Sequence, residues 1–376
     1  ALLVLINGLL DFSKIEAGKL ELDAEPFDLA ALVAEVMRTF ALRAEEGGLE
    51  LAYRLPRDVP ALLVGDAQRL RQILVNLVGN AIKFTPEGEI VVRVAVESRE
   101  KGRVVLKITV ADSGIGIASD KRDLVFEAFT QADGSTTREF GGTGLGPPIC
   151  AKLVKIMGGD IRLDSELGRG STFEVTLPFS LQPSETGRAT VPPEDLAGRS
   201  AIIVESHATT RKILEEVAGE LGMHVRAAAS SKEALAAAKA SKPELAIVSA
   251  SLTGEDAFAA ADAIRKESGA AIVMVLTSLA QSEGAVRCRE NKLPAYVTKP
   301  VKPQRLVDAA RAALSLSPDL TLPTSAPTKR KLGRSLSVLV AEDSAVNRKL
   351  FQRILEKHGH KVTAVSDGGA AVARLL

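Results

Sequence analysis

Three motifs between Asn76 and Gly146 constrain this chain more than anything else in it. The first, Asn76-Leu-Val-Gly-Asn80-Ala-Ile-Lys83-Phe84, spaces its two amides and its ammonium four and three residues apart, so a helix carries them on one face. The second and third, Asp112-Ser-Gly114-Ile-Gly116-Ile117 and Gly141-Gly142-Thr143-Gly144-Leu145-Gly146, are glycine turns. Glycine there removes side chains where backbone must come close to a ligand. Amide oxygens beside an ammonium suit a magnesium-bound polyphosphate, with hard oxygen ligands for the cation and positive charge for the phosphates. Exposed N–H groups of glycine-rich loops can hold phosphate oxygens. The fold must therefore bring one helix face to two loops.

Together these motifs resemble the N, G1 and G2 boxes of the ATP-binding domain of sensor histidine kinases. Phe126-Glu-Ala-Phe129 resembles the F box, and Gly168-Arg-Gly170-Ser-Thr172-Phe173 the last glycine motif, all in the family's order. The resemblance implies ATP and Mg²⁺ as cofactors and Asn76, Asn80 and Lys83 as the catalytic set, with Asn80 on the metal and Lys83 near the phosphates. It makes Asp112 the acceptor for the adenine amino group, in a turn shaped by Gly114 and Gly116. Gly142, Thr143, Gly144, Leu145 and Gly146 would cover the phosphates as a lid that Arg138 enters, with Thr172 at the same nucleotide. Relatives that hydrolyse ATP, such as gyrase-like, Hsp90-like and mismatch-repair enzymes, carry a Glu at the place of Asn76. An amide is no general base near neutral pH, so phosphoryl transfer to an external histidine is favoured over hydrolysis. Pro147-Pro148 departs from the family, which continues with Leu and a small residue. The two prolines remove N–H donors from the first turn of the following helix and bias Gly146 away from the α region, so weaker ATP binding is expected.

A length of 376 residues suggests two or three domains. The net charge of +1 gives no sign of nucleic acid or an anionic membrane as partner. Cys150 and Cys288 are too few for a disulfide scaffold and read as reduced structural thiols of a cytoplasmic protein. The apolar run Ala1-Leu-Leu-Val-Leu-Ile-Asn-Gly-Leu-Leu10 is too short to span a bilayer, and no basic segment precedes it. With no initial Met, and a pattern that stops at Leu376, the chain reads as a fragment; its parent is left open to an inner-membrane anchor upstream.

Residues 1–22 carry helical apolar spacing and resemble the second helix of the kinase dimerisation hairpin, through which the parent would form a homodimer. The helix that carries the acceptor histidine in this family has no counterpart here, since His207, His224, His358 and His360 lie far downstream. By the same resemblance residues 23–181 are expected to form the ATP-binding domain, an α/β sandwich of the Bergerat type. A helix runs from Pro26 to Gly47 with Asp28 as N-cap, Asp66 caps the helix bearing the first motif, and 89–97 with 103–111 make a hairpin. A mixed sheet with helices on one face is expected.

After a linker at 182–198, residues 199–316 alternate short apolar strands (201–204, 245–248, 272–275) with Ala-rich helices, which implies a doubly wound, flavodoxin-like parallel sheet. A second linker, 317–335, precedes a restart of the pattern at 336–376. Both units resemble response-regulator receivers. In the first, Glu205, Thr277 and Lys299-Pro300 fit the family, but Ser206 stands where a second acid belongs and Ser249 where the acceptor aspartate belongs. A serine without a base is a poor nucleophile, and one carboxylate binds Mg²⁺ weakly, so this is read as a pseudo-receiver. In the second, Glu342 and Asp343 suit Mg²⁺, and the acceptor would lie beyond Leu376.

The chain thus resembles part of a hybrid sensor histidine kinase, a two-component phosphorelay protein that passes the ATP γ-phosphoryl group to a histidine and onward to an aspartate. Response-regulator or phosphotransfer proteins are the expected partners. The alternative is a nucleotide-binding pseudo-kinase scaffold. On its own the fragment is not expected to autophosphorylate.

Overall fold

The computed structural model describes residues 20–127, 146–182, 193–293, 295–314, 337–357 and 359–375. Two compact units divide the chain between Leu322 and Pro323.

The first unit opens with strand β1 (Glu25–Asp28) and helix α1 (Leu29–Glu46). Asp28 caps α1, its Oδ1 accepting from the Ala31 N–H at 2.8 Å, as the sequence predicts. Strands β2 (Glu50–Arg54) and β3 (Leu62–Gly65) lead to helix α2 (Ala67–Phe84), capped by Asp66 through the Arg69 N–H at 2.9 Å. The hairpin of β4 (Glu89–Glu100) and β5 (Arg103–Asp112) follows, then helix α3 (Gly146–Ile156) and strands β6 (Asp160–Glu166) and β7 (Gly170–Leu181).

The sheet runs β1-β3-β7-β5-β4-β2, with β6 against β7. Only the β2–β4 pair is parallel, so the sheet is mixed. Helices α1, α2 and α3 cover one face, and Met37, Leu70, Leu77, Ile108 and Leu153 fill the core between, each less than 2% exposed. Burial of one such side chain contributes about 1.5–3 kcal/mol, so this layer fixes α2 against the sheet.

The second sheet belongs to the same unit. Its strands are β8 (Ser200–Val204), β9 (His224–Ala228), β10 (Leu245–Ser249), β11 (Ala271–Leu276) and β12 (Ala295–Thr298). They pair in parallel in the order β12-β11-β10-β8-β9. Helices α4 (Ala208–Glu220) and α8 (Pro303–Ala313) cover one face, and α5 (Ser231–Ser241), α6 (Ala257–Ser268) and α7 (Gln281–Glu290) the other. Burial on both faces explains why β8, β10 and β11 read as unbroken apolar runs. Leu196 packs fully into this core, and the Asp195 carboxylate binds the Arg311 guanidinium at 2.6 and 3.0 Å, so chain just before β8 is tied to α8.

The outer face of the first sheet is not bare. Ala52 on β2 and Val91 on β4 belong to the same buried cluster as Ile213, Leu214 and Val217 of α4.

The second unit consists of β13 (Ser337–Ala341) paired in parallel with β14 (Lys361–Val365), and helices α9 (Ala345–Lys357) and α10 (Gly368–Leu375). Two strands and two helices bury little, and Phe351 and Val372 are exposed. Among the described residues no helix is long and apolar enough to cross a membrane.

Candidate functional site

The Asp112 motif and the last glycine motif fall at one end of the first sheet. Asp112 closes β5, and its Oδ1 accepts from the Gly114 N–H at 2.9 Å and the Ser171 N–H at 3.3 Å. Both bonds fall on Oδ1; among the described residues none is seen on Oδ2, which leaves that oxygen for a ligand. Burial raises the carboxyl pKa, and the two N–H groups oppose the rise without cancelling it. Gly114 admits no side chain: a Cβ would lie 2.2 Å from the Phe84 carbonyl oxygen at the end of α2. Gly116 has φ +67, and a Cβ there would meet the Glu166 carbonyl oxygen at 2.0 Å. These contacts pin the turn between α2 and the β6–β7 end. Thr172 sits on β7 opposite Ala111, next to Ser171. Phe126 meets Phe173 edge-on at 6.2 Å, which ties the F-box segment to the same strand.

Asn76 and Asn80 are half-buried on α2. Gly146 opens α3 against them: a Cβ on Gly146 would lie 3.3 Å from Asn80 Nδ2 and 4.0 Å from Asn76 Oδ1. Asn76 also hydrogen-bonds the buried Cys150 thiol, whose pKa burial pushes up to about 12, so this cysteine is a packed thiol. The bias that Pro147 places on Gly146 is not realised, because Gly146 is helical. Part of the clash behind that bias falls on the Cβ of the preceding residue, which glycine lacks.

Lys83 is turned to another side of α2. Its Nζ lies 4.3 Å from the Phe84 ring centroid, and it lines a groove of about 360 Å³ with Arg43, Gly47, Leu49, Ile82, Thr85 and Pro86. Neither asparagine nor Asp112 borders that groove. Burial lowers the Lys83 pKa. Arg138, Gly142, Thr143, Gly144 and Leu145 lie outside the described residues, as does Phe129.

At the carboxyl edge of the parallel sheet, Glu205 follows β8, Ser249 ends β10, Thr277 follows β11 and Lys299 follows β12. Lys299 Nζ reaches Glu205 Oε2 at 2.8 Å and donates to Ser251 Oγ at 3.0 Å. Ser251 Oγ in turn lies 2.9 Å from Ser249 Oγ. Thr277 Oγ1 accepts from the Ala280 N–H at 3.2 Å, just ahead of α7. In the second unit, Asn347 Nδ2 donates to Glu342 Oε1 at 3.1 Å, and Asp343 Oδ1 accepts from the Ser344 N–H at 2.8 Å.

Comparison with known proteins agrees with this architecture. The family described as histidine kinase-, DNA gyrase B- and HSP90-like ATPase matches residues 65–181, and the response regulator receiver domain matches residues 201–311. The chain is 35% identical to sensor histidine kinase GacS of Pseudomonas protegens over 99% of its own length, and 32% identical to signal transduction histidine-protein kinase BarA of Escherichia coli, also over 99%. It spans 41% and 40% of the lengths of those relatives. The crystal structure of full-length ShkA in complex with AMPPNP superposes with a TM-score of 0.69 at 30% identity, covering 99% of this chain and 73% of that one. The chain belongs to the hybrid sensor histidine kinases.

Two features of this hybrid kinase escaped the sequence. Arg211, six residues after Glu205, donates through Nη1 to the Glu205 and Ser206 carbonyls at 2.7 and 3.0 Å. Arg348, six residues after Glu342, does the same to Glu342 and Asp343 at 2.7 and 3.3 Å. The equal spacing in the internal repeat was the available signal. The second is Glu50, whose Oε1 accepts from Lys299 Nζ at 2.8 Å and from Thr210 Oγ1 at 2.6 Å. Nothing local in the sequence relates β2 of one domain to the acceptor edge of the next.

The residues present fit a nucleotide of the kind the family binds. Gly146 puts no side chain against the two amides, and among the described residues both bonds to Asp112 fall on Oδ1.

Proposed function

We propose that this chain is the phosphotransfer core of a hybrid sensor histidine kinase, binding Mg²⁺–ATP and transferring the γ-phosphoryl group to a histidine of a dimerisation hairpin. Asp112 accepts from the adenine amino group, Thr172 borders the base, and Gly114 and Gly116 let the backbone approach it. Asn80 would hold the metal with Asn76 beside it, and Lys83 would swing from its groove to the phosphates. The metal supplies charge neutralisation across the phosphates. Arg138 and the Gly142 to Gly146 segment close over the γ-phosphoryl group.

In the transfer, the bond from γ-phosphorus to the β–γ bridging oxygen breaks and a bond to an imidazole nitrogen forms. ADP leaves with the electron pair, and the imidazole proton passes to solvent. An imidazole needs little deprotonation, so positioning and charge neutralisation do most of the work. In the parent, a homodimer through the hairpin, the phosphoryl group moves on to an aspartate of a receiver. Glu342 and Asp343 would hold Mg²⁺, which would supply charge neutralisation there, and response-regulator or phosphotransfer proteins take the group further.

The observation that carries this reading is the approach of Gly146 to both asparagines at the end of α2. The test supplies an intact dimerisation hairpin in trans with labelled ATP. Acid-labile label on the hairpin histidine is expected. Nucleotide binding without transfer would point to a scaffold, and release of free phosphate alone to a hydrolase; either result overturns the proposal.

A further inference from the structure

Strand β2 has two faces, and each belongs to a different core. Leu51 and Tyr53 pack inward with Val33 and Met37 of their own domain. The alternate residues Glu50, Ala52 and Arg54 all meet the receiver-like domain. Ala52 packs with Ile213 and Val217 of α4. Arg54, 6% exposed, binds Glu216 Oε2 through Nε at 3.0 Å and Glu220 through Nη2. Arg57 donates to the Glu220 carbonyl at 3.2 Å, and the Leu279 N–H donates to Glu45 Oε2 at 2.9 Å.

Glu50 is the centre of this surface. Its carboxylate enters the edge where receivers accept phosphate, and there it meets Lys299, 10% exposed, and Thr210, 5% exposed. The domain has lost two acids, at Ser206 and Ser249, while its lysine remains. A buried ammonium with one carboxylate partner is costly. Two carboxylates, Glu205 from its own domain and Glu50 from the neighbour, now flank it, each at 2.8 Å. Burial disfavours the Lys299 charge, and the two carboxylates more than reverse this, so its pKa is raised.

We propose that the former acceptor edge of this pseudo-receiver is an intramolecular docking site for β2 of the ATP-binding domain, with Lys299 turned from a phosphate contact into an ionic clamp on Glu50. The clamp stands where an incoming phosphohistidine would have to approach, so the docked domain is closed to phosphotransfer as well as lacking an acceptor. Its partner is this same chain, and the proposal stands whether or not the nucleotide site proves active.

Hydrogen exchange on the whole chain tests it. Glu50→Gln keeps the shape of the side chain and removes the charge. Losing one charge-assisted pair shifts the docking equilibrium by about tenfold or more. Amides of residues 50–54 and 208–220 should then exchange about tenfold faster, while those of 103–112 and 245–249 keep their protection. Ser249→Asp should do the same, because it adds a third carboxylate near one lysine, whereas Arg162→Gln, which breaks an exposed pair with Asp160, should change nothing in those segments. Unchanged exchange at 50–54 and 208–220 in Glu50→Gln overturns the clamp. So does a rise spread over all four segments, which would make Glu50 a support of its own domain.

Discussion

The nucleotide site and the acceptor edge are both built at the ends of β-strands beside a helix, yet they treat polar groups in opposite ways. At the first, room is kept. Glycines stand where a Cβ would strike backbone, both bonds to Asp112 fall on one oxygen, and Gly146 puts no side chain against Asn80. At the second, room is taken: Glu50 fills the edge from the neighbouring domain, and Lys299 is matched within the chain. The contrast teaches that polar groups at a strand end can be held in reserve or settled within the chain, and that only the first arrangement leaves them for a ligand.

The sharpest way to break this comparison is Asn80→Ala. Groups that merely support a metal ligand cost 10–100-fold on removal, so losing the ligand itself should lower label transfer to a supplied hairpin by about 100-fold or more. Near-normal transfer would place the metal elsewhere. Next comes Gly114→Ala. Its Cβ meets a backbone carbonyl oxygen, which cannot yield as a side chain can. A loss of about 3 kcal/mol, the upper end for overpacking, is expected in urea unfolding.

Replacing Pro147-Pro148 by Leu-Ala should tighten ATP binding by about tenfold, because the first turn of α3 regains two N–H donors. Calorimetry that returns an unchanged affinity rules this out. Asp112→Asn separates stability from binding. A raised carboxyl pKa means the folded state holds its proton more firmly, so the charged form costs stability at neutral pH. The variant should therefore be more stable than the parent near pH 7 and bind ATP more weakly. Its stability advantage should shrink as pH falls through the raised folded value towards 3.8. The smallest expected effect is none: a small phosphodonor should leave no phosphate on residues 199–316, and a phosphopeptide found there would reverse the reading of Ser249.

Much of this was legible in the sequence because it is local. Asp28 and Asp66 announce their helices by capping, alternation gives β4 and β5, and the glycine motifs mark the ends that meet a ligand. Strand β3 goes unread, and β1 corrects the helix expected from Pro26, which begins only at Leu29: each strand has four residues, and Pro26 signals a strand only at a sheet edge, where β1 lies. Chain before β8 reads as polar linker, yet Leu196 is fully buried; one apolar residue among prolines and acids carries no period. Glu50 and Arg54 were missed for a different reason. Alternating charges on an edge strand look the same whether they face water or another domain.

Strand β2 lies beside β4, with Glu50 opposite Glu89, and the Ser113 N–H donates to the Glu89 carbonyl at 3.1 Å. Ser113 is the residue after Asp112. From Lys299 to the turn after Asp112 there is an unbroken line of bonds, one strand deep. A single strand pair is thus all that separates the edge of one domain from the nucleotide end of the other.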